Sequence, residues 1–136
     1  MKIEWIILAE GFGSASNGAV TAIGVNQNLI VTSNLPVMTK RAIMVHLGAD
    51  DDGFTNAELG LAVKVLSPSG EVVAAQTSSM KTGAPPWPDL PVTFDVFAEF
   101  PMRLAEYGTY VTDVEITAPD GTQAKAQASF YVRAPQ

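Results

Sequence analysis

The chain contains no cysteine, which excludes disulfide frameworks, thiolate metal sites and a cysteine nucleophile. It has a single histidine, His46, so a Ser-His-Asp arrangement has only one place to form. Positive charge is also scarce, with eight Lys and Arg against fourteen Asp and Glu and a formal net charge of −6. The only adjacent basic pair is Lys40-Arg41. A nucleic-acid partner or an anionic membrane surface calls for clustered Lys and Arg, so neither is expected. Apolar runs are short. Glu4 interrupts the stretch before Trp5 to Ala9, which is too brief for a signal-peptide core, and nothing approaches the roughly 20 residues of a membrane helix. A cytoplasmic protein is the expectation.

What is present is apolar and strand-like. With 136 residues, 47% of them hydrophobic, the chain is too apolar for intrinsic disorder and suits one domain over residues 1–136. Apolar residues recur at every second position almost throughout, the period of half-buried strands. Ile3, Trp5, Ile7 and Ala9 alternate in the first strand. Residues 10–18 carry three glycines and read as a loop, followed by a strand over Ala19–Val25 and a short extended piece at Leu29–Thr32. Pro36 limits its region to an edge or a crossover. Ile43, Val45 and Leu47 share a face within Lys40–Leu47, as do Leu59, Leu61, Val63 and Val65 within Glu58–Leu66. Ser67-Pro68-Ser69-Gly70 turns that strand back into Glu71–Thr77. After a proline-rich crossover at 79–91, Val92, Phe94, Val96 and Ala98 alternate. A hairpin of Gly108–Thr117 and Thr122–Arg133 closes the chain around Ala118-Pro119-Asp120-Gly121.

Eight or nine such strands predict an all-β fold, an antiparallel β-sandwich that is immunoglobulin-like in shape. At most one short helix is expected, at 101–106, where Pro101 suits a first helical position. Within Leu104 to Tyr110, Tyr110 stands where sandwich folds place a tyrosine whose hydroxyl bonds back to the preceding turn. Leu8-Ala9-Glu10, Asn17-Gly18-Ala19-Val20 leading to Ala22-Ile23-Gly24-Val25, and the stretch from Leu104 through Gly108-Thr109-Tyr110 together resemble a family of small bacterial single-domain proteins of unknown function. The resemblance implies a β-sandwich and carries over no catalytic residue.

Chemistry is thinly represented. His46 shares the face opposite Ile43, Val45 and Leu47, no Gly-x-Ser-x-Gly elbow accompanies it, and no catalytic residue is assigned. Gly11-Phe12-Gly13 with Gly18 neither matches a dinucleotide fingerprint nor opens a helix. Asp50-Asp51-Asp52-Gly53 with Asn56 and Glu58 offers the oxygen ligands calcium prefers, although the spacing is not that of an EF-hand. Strand alternation puts loops 48–57, 79–91 and 118–121 at one end, with Asp89 and Asp120 near that acidic run. Ordinary Asp-rich turns explain the same residues, and no metal or cofactor is assigned. Asp113 with Glu115, or Asp95 with Glu99, could serve a small carboxylate-based hydrolase, but on outward faces with no expected cleft.

The stronger signal is apolar. Trp87 is held in Pro85-Pro86-Trp87-Pro88, Phe97 falls on the polar face of its strand, and Phe12 and Phe54 stand in polar loops. Each is either a plug over an open end of the sandwich or an interface aromatic. The expected function is a non-enzymatic binding or assembly module acting through protein–protein contact or self-association. Trp87 and Phe97 are its anchors, and Gly108–Thr117 or Thr122–Val132 could offer an edge for docking. A ligand-binding module using the acidic loop end, with calcium, is the alternative.

Overall fold

The computed structural model describes residues 1–14, 20–24, 28–49, 55–84 and 87–136. Their strands are β1 (Lys2–Ala9), β2 (Gly11–Ser14), β3 (Val20–Ile23), β4 (Leu29–Val31), β5 (Val37–Ala49), β6 (Glu58–Leu66), β7 (Val72–Lys81), β8 (Val92–Leu104), β9 (Gly108–Thr117) and β10 (Gln123–Arg133). Eight of them form two layers. One sheet has the order β1-β5-β8 and the other β4-β10-β9-β6-β7, while β2 and β3 pair with each other. The fold is an all-β sandwich, and no helix occurs among the described residues.

Alternation dictates the core. Leu59, Leu61, Val63 and Val65 of β6 are buried, as are Val114 and Ile116 of β9 in the same sheet. From the facing sheet come Ile43, Val45 and Leu47 of β5, with Val96, Ala98, Phe100, Met102 and Leu104 of β8. Apart from Ala98, each such side chain contributes about 1.5–3 kcal/mol when fully removed from water. The layers also meet at their flanks, where β1 contacts β10 and β7 contacts β8.

Tyr110 is fully buried. Its hydroxyl donates to the Glu106 carbonyl at 2.9 Å and accepts from the Glu106 N–H at 3.2 Å. The corner expected from the sequence is therefore present.

Several expectations need correction. Residues 101–104 are not helical, because β8 runs on to Leu104 and Pro101 pairs with Lys40. Only an extended chain buries Phe100, Met102 and Leu104 at every second position. As a sheet edge, β8 also tolerates proline, because its open flank needs no N–H donor. Part of the glycine-rich segment is strand, since Gly11–Ser14 pairs with Val20–Ile23. Of the edge or crossover expected at Pro36, the structure has the crossover, from β4 in one sheet to β5 in the other. The sheets are not wholly antiparallel, because Leu29–Val31 runs parallel to Tyr131–Arg133. Finally, Gly108–Thr117 is no docking edge, since β9 is flanked by β10 and β6. β10 is covered by β4 only over Tyr131–Arg133.

Candidate functional site

The outer face of the three-stranded sheet gathers side chains from all three of its strands. Register sets them in rows across β1, β5 and β8: Trp5 beside His46 and Asp95, Ile7 beside Met44 and Phe97, and Ala9 beside Ala42 and Glu99. Strict alternation would place Trp5 on the same face as Ile3. A register shift between Ile3 and Trp5 breaks that alternation, so Ile3 pairs with core Leu47 while Trp5 turns outward beside His46.

The Trp5 and His46 rings lie parallel, with centroids 4.6 Å apart and planes 5° from coplanar. His46 Nδ1 lies 2.7 Å from Asp95 Oδ1, which fixes the hydrogen on that nitrogen, and Nε2 lies 3.4 Å from Glu4 Oε2. Both ring edges thus face carboxylates, and the imidazole serves as a fixed plate beneath the indole. At the far end, β2 leans over the sheet. The Phe12 N–H donates to Glu99 Oε1 at 3.2 Å, and its ring meets Phe97 edge-on at 5.1 Å. Lys40 Nζ pairs with Glu99 Oε2 at 2.7 Å. These contacts, the lysine first and then the Phe12 amide, hold the Glu99 carboxyl below its ordinary value. Ala9 and Ala42 are fully buried at this end, where β2 contacts β5.

Between the two ends, Ile7, Met44 and Phe97 form an apolar strip flanked by Trp5 and Phe12. Trp5 is 40% and Phe97 36% exposed. Trp87 does not join them. It stands in the segment between β7 and β8, its carbonyl accepting from the Leu90 N–H at 3.2 Å. At 64% exposure it plugs no end of the sandwich. Phe54 lies outside the described residues. Trp5 was hidden from sequence reading because a bulge is invisible to a count of alternating residues; the adjacent charge at Glu4 was its one signal.

The other candidates resolve as follows. Strand register brings residues 57, 82 and 118 to one end, with the Thr82 N–H donating to the Ala57 carbonyl. Asp50 to Gly53 lie outside the described residues. Asp120 accepts from the Thr122 N–H at 2.8 Å within its own turn, which lowers its carboxyl below the ordinary value. Among the described residues no three His, Asp or Glu side chains converge to hold a metal.

Contrary to the expected absence of any cleft, Asp113 and Glu115 line an open trough of about 670 Å³ on the outer face of the five-stranded sheet. Both carboxylates are taken by neighbours. Gln127 donates to Asp113 at 2.6 Å, while Gln123 and Lys125 bind Glu115 at 3.0 and 2.9 Å.

No protein-family model and no curated protein matches the chain. Among solved structures it is similar to the PmoD soluble domain from Methylocystis sp. ATCC 49242 (Rockwell). The likeness has 18% identity and a TM-score of 0.42, over 93% of this chain and 88% of that one. A likeness of that degree transfers no ligand or partner to this chain.

Proposed function

We propose that this protein is a non-enzymatic binding module that docks a protein partner on the outer face of its three-stranded sheet. The observation that carries the reading is the strip of Ile7, Met44 and Phe97 between Trp5 and Phe12, apolar side chains on a strand face turned to solvent. Aromatic residues of this kind dominate binding energy when a partner buries them. The stacked, carboxylate-held His46 pre-orders the Trp5 ring, which lowers the entropy lost on docking. Glu4, Asp95 and Glu99 rim the strip, and the whole chain carries −6, so the fitting partner is basic around an apolar contact. The same charge opposes self-association, because two copies would bring like charges together.

The test compares Trp5→Ala, Phe97→Ala and Trp87→Ala with the parent, by pull-down from the native host and by light scattering. Loss of either strip aromatic should weaken the association by about 30-fold, corresponding to roughly 2 kcal/mol, with normal melting. Trp87→Ala should leave it unchanged. If both strip variants keep every association of the parent, the reading fails. If they lose only self-association, the occupant is a second copy.

A further inference from the structure

Three of the strands that end the two sheets are guarded against pairing with another chain. β4 is only three residues long, β1 carries Lys2 and Glu4, and β8 carries Asp95, Glu99, Arg103 and Pro101. Short length, charge and proline are the usual means of blunting an edge. β7 has none of them. It ends the five-stranded sheet with β6 on one side, and among the described residues its backbone forms no hydrogen bond beyond the ladder to β6. Residues 72–80 include no charge and no proline, and Ala75, Thr77, Ser78 and Ser79 are exposed along them. A bulge at Val73, where Val65 pairs with Ala74 but Leu66 with Val72, confines the regular edge to residues 74–81. β8 approaches this flank from the other sheet without pairing. Alternate residues of β7 therefore turn their N–H and C=O groups toward solvent along an open edge.

We infer that β7 pairs antiparallel with β7 of a second copy across a two-fold axis, joining their five-stranded sheets into one continuous sheet. An axis normal to the sheet keeps outward residues opposite outward ones, so one residue must face its own counterpart. Centred on Thr77, the pairing uses the bulge-free stretch. Thr77 then opposes Thr77, Ala75 opposes Ser79 and Gln76 opposes Ser78. Threonine and serine suit such cross-strand pairs, and none of these residues is charged. The same register sets Lys81 opposite Val73, close to Glu71 of the other copy, so opposite charges meet at both ends of the junction. Charge complementarity thus selects a second copy as the occupant. A net charge of −6 opposes self-association at the acidic docking face, whereas here the joined segments are neutral and their ends attract. Each copy spends its one β7 in the pairing, so association closes at the dimer. This junction is separate from the docking face, and either can fail without the other.

The experiment is sedimentation velocity of the full chain at low ionic strength, across about 1 µM to 1 mM, on the parent and its variants. The parent should pass from monomer to dimer and stop there. Thr77→Lys sets two like charges at the axis and should weaken dimerisation by about tenfold or more, while melting as the parent does when dilute. Thr77→Glu should do the same by itself, which keeps the test decisive should the lysine variant fail to fold. An equimolar mixture of the two should recover the dimer, because opposite charges then meet at Thr77. Trp5→Ala should dimerise as the parent does. The proposal is overturned if the parent stays monomeric throughout, if either Thr77 variant dimerises like the parent, or if the mixture recovers nothing. Loss of the dimer in Trp5→Ala but not in the Thr77 variants would also overturn it, because self-association would then lie on the docking face.

Discussion

One side-chain atom of Tyr110 satisfies both backbone groups of Glu106, donating to its carbonyl at 2.9 Å and accepting from its N–H at 3.2 Å. The bend between β8 and β9 is thereby tied to a ring that also stacks on Phe130, with centroids 5.1 Å apart. Tyr110→Phe keeps the ring and removes both bonds. It should lower stability by about 1–3 kcal/mol, seen as a reduced urea midpoint with an unchanged slope. A midpoint within error of the parent would mean that the corner contributes nothing.

Val63 is 3% exposed between Leu61 and Val65 and pairs with buried Val114 across β9. Val63→Asp would bury a carboxylate among these side chains. The expected cost, about 4–5 kcal/mol or more, is comparable with the whole stability of a small domain. Circular dichroism should find the variant unfolded at ambient temperature. A cooperative melt would contradict the inward register of β6.

The Glu106 carboxyl is held below its ordinary value of 4.5, first by the Ser69 hydroxyl, which donates at 2.8 Å, and then by Ser67. A depressed folded-state value stabilises the fold fully above the unfolded value and loses that contribution as pH falls through the folded one. Ser69→Ala should therefore move the Glu106 titration upward toward 4.5. Its stability deficit against the parent should narrow on acidification below that pH. Carbon-detected NMR of the carboxyl group reads the first effect and acid denaturation the second; an unmoved titration would refute the assignment.

Much of the sandwich was legible in the sequence where one face is buried and the other wet. Glu58–Leu66 and Gly108–Thr117 match β6 and β9 end to end. There, burial at every second residue leaves no freedom in the assignment. Legibility failed where a neighbour decides the outcome. Gly11–Ser14 is extended because β3 pairs with it, and Pro101 stays in a strand because β8 has an open flank. Of the two anchors expected from sequence, Phe97 joins the aromatic strip and Trp87 stands apart from it.

The sequence by itself determined the strands over Glu58–Leu66 and Gly108–Thr117, the inward and outward faces of those strands, and the tyrosine corner. These follow from local period and turn chemistry, which act between residues close along the chain. Only the tertiary structure decided which strands became edges, that a bulge turns Trp5 outward to meet His46, and that Arg41 lies buried above Phe130. Lys40-Arg41 is the one adjacent basic pair in the sequence. Folding separates the two, because adjacent residues on a strand face opposite sides: Lys40 reaches Glu99 on the outer face, while Arg41 enters the space between the sheets.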